Sequence, residues 1–371
     1  MRILMLVKSF YPVIGGVETT VFELARGLSK KYSIIILTVS EDKNFRQEEK
    51  DGFEIIKAPR IAKILSTPFS IDYPFWVKRI INSADIIHLH SPHPIGELSL
   101  LVFPPSKKLL ITYHFDIVKQ KYLNPIYNPL LKYIFSRSEK IVVSNPNIIQ
   151  TSSFLEKFHD KCVIIPFGIN IDEYLLNQEQ IKNARILKNK YKKPVILFVG
   201  RLVYYKGINY LIQAMATVDA NLIIIGEGPL KKKLIALVDT LKMTDKVEFL
   251  NHLPREQLML YFSICDIFVL PSVARAEAFG MVLLEAMVYK KPLITTELGT
   301  GTSFINIDGK TGYVVPPANS EALSKAINTL IHDETIRREM GENAAQRVRE
   351  EFGISKYLSA YDKLYQKVFL S

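Results

Sequence analysis

Cysteine is almost missing from this chain: Cys162 and Cys265 are the two in 371 residues, far apart and each inside an apolar run. That excludes a disulfide framework or a thiolate metal cage and fits reduced core thiols. Long apolar runs are missing too. No stretch approaches the roughly 18 residues of a bilayer-crossing helix. The apolar opening at residues 1–7 is broken by Lys8, and no small-residue cleavage pattern follows it. The expectation is therefore a soluble, cytoplasmic protein. Acid is in short supply, leaving a net charge of +11, with basic clusters at Lys30–Lys31, Lys107–Lys108, Lys119 with Lys121, 188–193 and 231–233. Such a surplus suits anionic partners such as nucleotide phosphates or anionic lipid headgroups, or simply a well-solvated surface.

Several signatures of phosphate and metal chemistry are also absent. The turn after the first strand-like run lacks the Gly-x-Gly-x-x-Gly spacing of dinucleotide folds. No Gly-x4-Gly-Lys-Ser/Thr string occurs, so an ATPase reading has no support. His88, His90 and His93 cluster, but no carboxylate or cysteine in the same short stretch completes a coordination set, and no metal is expected.

What is present is a regular alternation of short β-branched runs with helix-length segments, the pattern of parallel sheets covered on both faces. Strands are expected at 2–7, 32–39, 53–58, 84–90, 108–114, 140–144 and 162–166, and in a second series at 194–200, 220–226, 246–250, 266–271, 292–296 and 312–315. The first helix is marked by Val17, Val21, Leu24, Ala25 and Leu28 on one face, opposite Glu18, Glu23 and Arg26. Further helices are expected near 207–217, 229–242, 255–263 and 280–289. Residues 170–193 have helix-like composition but weak periodicity and mark a junction. From Ser320 onward the tail reads as helix with a break at Phe352-Gly353. Two Rossmann-like domains in tandem follow, 1–170 and 171–353, with a terminal helix at 354–371 whose apolar stripe needs a surface; the N-terminal domain is one candidate.

In open α/β sheets ligands bind beyond the carboxyl ends of the strands. Gly15-Gly16 sits at such a turn, where backbone amides can approach an anion at a helix start. In the second series, Arg201 and Lys206 bracket a turn that Gly207 closes, a fork and a point charge suited to a diphosphate. The most distinctive string is Glu277-Ala278-Phe279-Gly280-Met281-Val282-Leu283-Leu284-Glu285. A carboxylate set among Val282, Leu283, Leu284, Ala286 and Met287 must be paired, hydrogen-bonded or ligand-facing, and a ribose diol is a natural partner for Glu285. Glu277 precedes the helix, where Ala278, Phe279 and Gly280 can present backbone N–H groups to an anionic leaving group.

That string resembles the Glu-x7-Glu motif of the retaining glycosyltransferases of family 4. In the family's order follow Gly15-Gly16-Val17-Glu18, Thr112-Tyr113-His114-Phe115-Asp116, Gly200-Arg201-Leu202 with Lys206-Gly207, Gly226-Glu227-Gly228-Pro229, the 249–254 run and Asp308-Gly309-Lys310-Thr311-Gly312-Tyr313. The resemblance spans nearly the whole chain. It implies a GT-B fold, two Rossmann-like domains facing across a cleft, with the donor held by the C-terminal domain and the acceptor by the N-terminal one. It implies Arg201 and Lys206 on the diphosphate, Glu285 on the ribose, Glu277 on the transferred sugar, the Asn251–Leu253 backbone on the base, the Gly16 amide near the phosphates and His114 facing the reacting sugar. The absence of Asp-x-Asp argues against the metal-dependent GT-A transferases.

Phe115 stands where many relatives carry a small polar residue. The 297–303 loop, with 276–280, resembles bacterial O-antigen mannosyltransferases and favours GDP-mannose as donor; a lipid-linked saccharide acceptor would account for part of the basic surface, and no nucleic-acid partner and no cofactor are expected. The other readings are a GT-B enzyme using a UDP-sugar, an epimerase or synthase on the same fold, and a non-enzymatic sugar- or nucleic-acid-binding protein. A membrane-docking face is expected around Lys107, Lys108, Lys119 and Lys121.

Overall fold

The computed structural model describes every residue except Ile14, Leu65, Ser66 and residues 116–123. Asp116, Lys119 and Lys121 therefore lie outside the described residues. The chain forms two compact units, residues 1–168 with 355–371, and residues 169–354.

The first unit runs β1 (Arg2–Leu6), α1 (Gly16–Leu28), β2 (Ser33–Val39), β3 (Arg46–Lys50), β4 (Phe53–Ala58), β5 (Ala62–Ile64), β6 (Thr67–Phe69), α2 (Tyr73–Ile80), β7 (Ile86–Ser91), α3 (Pro94–Val102), β8 (Lys108–Tyr113), α4 (Asn124–Ser136), β9 (Lys140–Val143), α5 (Pro146–Thr151) and β10 (Cys162–Ile164). Its sheet has the order β10-β9-β8-β7-β1-β2-β4-β3. All pairings are parallel except β3 on β4. The central strands are buried along almost their whole length because both faces are covered, and their buried residues are apolar except for His88, His90 and Ser91 in β7 and Thr112 in β8. The edge strand β3, Arg-Gln-Glu-Glu-Lys, has no apolar period at all and forms by antiparallel pairing with β4, so its sequence gives no strand signal. Strand order reverses between β1 and β7, and the carboxyl ends of these two strands define the unit's crevice.

The second unit contains α6 (Gln178–Lys188), β11 (Val195–Val199), α7 (Ile208–Ala214), β12 (Asn221–Ile225), α8 (Lys231–Thr240), β13 (Val247–Leu250), α9 (Arg255–Ile264), β14 (Ile267–Leu270), α10 (Met281–Val288), β15 (Leu293–Thr296), α11 (Gly301–Ile305), β16 (Gly312–Val315), α12 (Ser320–His332) and α13 (Glu334–Glu351). The wholly parallel sheet has the order β13-β12-β11-β14-β15-β16. Counted from β11 this is 3-2-1-4-5-6, the doubly wound arrangement, with its switch point between β11 and β14. The junction segment forms a short 3-10 turn at Ile171–Tyr174 and then α6, which starts at a reciprocal cap between Asn177 and Gln180.

The tail has one more break than its periodicity suggests. Asp333 separates α12 from α13 because its carboxylate accepts from the Ile336 amide at 2.9 Å, starting a new helix. Last comes α14 (Ile354–Leu370), which belongs almost entirely to the first unit. It buries Tyr357, Tyr361, Leu364, Tyr365 and Val368. Tyr357 donates to the Thr20 carbonyl of α1 at 3.3 Å, and Lys31 pairs with Asp362 at 2.7 Å.

Candidate functional site

At the switch point of the second unit, two loops leave neighbouring strands. The loop after β11 carries Arg201 and turns back at Gly207, which adopts φ +63° as the cap of α7. A Cβ there would lie 2.1 Å from the Pro271 carbonyl oxygen, so only glycine lets this turn pack against the end of β14. The close approach brings Lys206 inward. Its Nζ meets Glu277 Oε2 at 2.5 Å, and both side chains are about nine-tenths buried. Ser272, two residues beyond β14, donates to the same Oε2 at 2.9 Å. Thr300 donates its hydroxyl to the Glu277 carbonyl at 2.8 Å, and the Gly301 amide donates to the Ala278 carbonyl at 2.8 Å. Glu277 is thus fixed through side chain and backbone. Gly280, at φ +89°, turns the chain into α10, and Phe279 is buried against Phe352. Arg201, at the start of the same loop, is exposed.

Lys206 and Glu277, assigned separately from sequence to a diphosphate and to a sugar, are one ion pair in the folded chain. A cation in this pair can still offer its other N–H groups to an anion, and the carboxylate keeps acceptor capacity for a hydroxyl. Ser272 was not singled out from sequence, although its place just after a strand marked it.

Glu285 lies in the middle of α10 and is partly accessible. Tyr174 donates to its Oε1 at 3.1 Å, and Tyr289 donates to the Tyr174 carbonyl at 2.5 Å. Arg255 lies 4.4 Å from the centre of the Tyr174 ring and pairs with Glu173 at 2.7 Å. Desolvation dominates over the hydrogen bond from Tyr174 and the charge of Arg255, and the Glu285 carboxyl is pushed up to about 7. Nothing local in the junction sequence announces Tyr174. Asn251 and Leu253 lie in the loop after β13, where Lys231 donates to the Asn251 side-chain carbonyl.

In the first unit Gly16 opens α1 and is exposed. The helix start is already faced by a carboxylate: Ser9 donates to Glu18 Oε1 at 2.5 Å, and a Cβ on Gly15 would lie 2.3 Å from Glu18 Oε2. His114 follows β8 directly and is buried; its Nε2 lies 3.1 Å from His90 Nδ1. Burial, then the charge of Lys8, hold the His114 ring down at about 3, so it is neutral at physiological pH. The histidines do not assemble into a metal set: among the described residues no group of three or more His, Cys, Asp or Glu side chains could hold an ion. Instead His88 bonds Tyr365 and Thr112, and His93 bonds the Tyr73 hydroxyl at 2.9 Å. Glu97 on α3 is spent on the His93 amide, Ser91 and Tyr127.

Both halves of the chain match known families. The model of glycosyltransferase family 4 matches residues 14–173, and that of glycosyl transferases group 1 matches residues 179–347. The O-antigen chain mannosyltransferase C of Escherichia coli is 35% identical over 98% of this chain and 98% of its own length. The chain belongs to the family 4 glycosyltransferases. A D-rhamnosyltransferase, WbpZ, of Pseudomonas aeruginosa is 33% identical over 95% of this chain and 92% of that protein. The Anabaena protein Alr3699/HepE, solved in complex with UDP, superposes with a TM-score of 0.80 over 99% of this chain and 100% of that one at 18% identity. The fold is accordingly GT-B, built from two Rossmann-like domains, and the protein is a glycosyltransferase. No described helix is long and apolar enough to cross a membrane.

Proposed function

We propose that this glycosyltransferase moves mannose from GDP-mannose, with retention at the anomeric carbon, onto a lipid-linked saccharide in surface-polysaccharide synthesis. The observation that carries the reading is the Lys206–Glu277–Ser272 cluster at the switch point of the second unit, with Arg201 on the same turn. Mannose is supported by the 35% identical O-antigen mannosyltransferase. In this reading Arg201 and Lys206 neutralise the diphosphate as it leaves, Glu277 holds hydroxyls of the sugar, and Glu285 takes the ribose diol. The backbone of Ala278, Phe279 and Gly280 lies toward the leaving phosphate, and that of Asn251 and Leu253 toward the base. Gly16 offers an amide to phosphate and His114 a ring nitrogen to the sugar. Catalysis is by positioning and charge stabilisation, with front-face attack and the leaving phosphate taking the acceptor's proton.

Calorimetry tests the donor half. GDP should bind more tightly than UDP, and Arg201→Ala should weaken GDP more than guanosine, the difference shrinking as salt is raised. Equal losses for GDP and guanosine would remove Arg201 from the phosphates, and tighter UDP binding would replace the donor.

The two described cations of the membrane face expected from sequence are not equivalent. Lys107 is exposed, whereas Lys108 is half-buried and pairs with Glu139 at 3.2 Å. A better surface lies on α2 and α3, which pack together. Phe75 on α2 is 62% exposed, and Leu98, Leu101 and Val102 on α3 are exposed. Lys78 reaches 5.5 Å from the Phe103 ring, and Arg79 lies 5.1 Å from the Trp76 ring. Between Tyr73 and Phe103 the carboxylates are Asp85, which accepts from the Arg2 amide, and Glu97, which is buried. Asp72 at the start of α2 is exposed, but Lys78, Arg79 and Lys107 outnumber it, and a net cationic, apolar face suits an anionic lipid surface, at about 1 kcal/mol per cation. Replacing Lys78, Arg79 and Lys107 with Gln should lower sedimentation with phosphatidylglycerol liposomes and leave GDP affinity unchanged. Wild-type protein that stays in the supernatant at low salt rules the surface out.

A further inference from the structure

One buried contact in the first unit has no role in that reading. His90 and His114 leave neighbouring strands, and their rings lie nearly parallel, 20° apart, with centroids 5.3 Å apart. Both are about 3% exposed. Their inner nitrogens, His90 Nδ1 and His114 Nε2, are 3.1 Å apart. Their outer nitrogens, His90 Nε2 and His114 Nδ1, have no hydrogen-bond partner among the described residues.

The chemistry of imidazole makes this arrangement restrictive. A neutral ring carries one hydrogen, so the inner pair can share only one. If His90 donates, His114 must carry its hydrogen on Nδ1. If His114 donates, its Nδ1 is a bare acceptor and the hydrogen of His90 sits on Nε2. In either case the two outer nitrogens are of opposite kinds, and the ring form of one residue dictates that of the other. Burial keeps both rings neutral, with the neighbouring histidines adding to the effect at His90 and Lys8 at His114.

The ring of His90 is itself held. It packs 4.2 Å from the His88 ring, centroid to centroid. Both nitrogens of His88 are used, on the Tyr365 hydroxyl and Thr112 Oγ1, each at 2.7 Å, and Thr112 meets the Tyr361 hydroxyl at 2.8 Å. The tyrosines of α14 thereby brace the strand ends from which the pair projects. On its other side, His114 packs near-parallel to Phe167 at 5.7 Å.

We propose that His90 is a positioning residue for His114: by sharing one hydrogen between its Nδ1 and His114 Nε2, it holds the His114 ring in the form complementary to its own, and a hydroxyl of the bound sugar meets that form. The inference rests on the reading that His114 faces the sugar, and adds the residue that sets its hydrogen-bonding sense. A ring in the wrong form presents a lone pair to a lone pair, or a hydrogen to a hydrogen, and the sugar is misplaced.

The test uses full-length protein labelled with 15N-histidine, with the His114 signals assigned by their loss in His114→Gln. In the wild type, two-bond 1H–15N correlations should show His114 as a single neutral tautomer. His90→Phe keeps a ring and removes its nitrogens; there the His114 pattern should shift toward a mixture. His90→Asn places an amide near the lost Nδ1 and should restore the single form. Hydrolysis of GDP-mannose by the same proteins should show kcat about 10- to 100-fold lower in His90→Phe, with KM moving less, and partial recovery in His90→Asn. If His90→Phe does not fold, His90→Leu serves in its place. A folded variant without the imidazole whose His114 pattern is unchanged overturns the inference, as does a shifted pattern with kcat intact. His114→Ala hydrolysing at the wild-type rate overturns instead the reading on which it rests.

Discussion

Lys206→Met is expected to cost about 3–5 kcal/mol of unfolding free energy and to lower transfer by at least about 100-fold. The stability loss follows from burial. The Lys206 ammonium and the Glu277 carboxylate meet at 2.5 Å with only 10% and 9% of their side-chain surfaces exposed. Removing the cation leaves a carboxylate in a poorly solvated place with Ser272 as its remaining side-chain donor. Removing both charges is a different matter, because a buried pair is often worth little more than apolar groups of the same size. Lys206→Met with Glu277→Leu should therefore recover most of the stability, short of about 1 kcal/mol for the Ser272 hydroxyl left without its acceptor. It should recover none of the activity, since the diphosphate and sugar contacts are both gone. Urea unfolding of the two single variants and the double one measures the stability side. A single variant losing under about 1 kcal/mol, or a double variant no more stable than Lys206→Met, would show that the pair is not buried in solution as it is here.

Glu285→Gln should do the opposite, stabilising the ligand-free protein while weakening its hold on nucleotide. The carboxyl is raised from its ordinary 4.5 to about 7, with burial as the leading cause. Between those two values the folded protein holds a proton that the unfolded chain has released, so wild-type stability falls as pH rises through this window. The full linkage would be near 3 kcal/mol; because Glu285 is partly accessible, about 1–2 kcal/mol is the expected gain of the glutamine variant at pH 8. Below pH 4.5 the acid is protonated in both states, and the two proteins should match. Glutamine keeps the bond from Tyr174, since its carbonyl still accepts. A ribose diol loses a charged acceptor, a loss of roughly 1.5–3 kcal/mol in GDP affinity at pH 8. Wild-type affinity should also fall more steeply than the variant's as pH drops below 7, protonation of the terminal phosphate being common to both. Thermal unfolding across pH 4–8, with calorimetry at both ends, decides the matter. Equal stability at pH 8 would mean the carboxylate is better solvated than its surroundings imply, and unchanged affinity would remove it from the ribose.

Most strands were legible because a buried parallel strand is a short β-branched run between turn residues, and 2–7, 108–114 and 312–315 each read that way. The edge strand β3 was not, because its polar residues satisfy no periodicity and only β4 makes it a strand. The helices α2 and α3 were missed for a related reason. They are short, at eight and nine residues, and each begins with a proline in its first turn, so periodicity has little length in which to show. The pairing of Lys108 with Glu139 was not legible either, because the partner lies 31 residues on. The two glutamates with seven residues between them and the Arg–Lys turn stood out since the constraints on them, a helix start and a glycine turn, are local.

By itself the sequence determined the alternating α/β pattern, the motif order and the residue types at each strand end, because backbone preference and turn chemistry act over a few residues. Tertiary structure alone decided which of those residues meet. It joined Lys206 to Glu277 through a glycine turn that packs on the Pro271 carbonyl. It laid Tyr174 against Glu285 across 111 residues, paired His90 with His114 from adjacent strands, and returned α14 to the first unit, where its tyrosines reach Thr112 and His88. Those contacts depend on strand order, and strand order is settled by burying all the apolar faces at once, a condition that no local stretch of sequence carries.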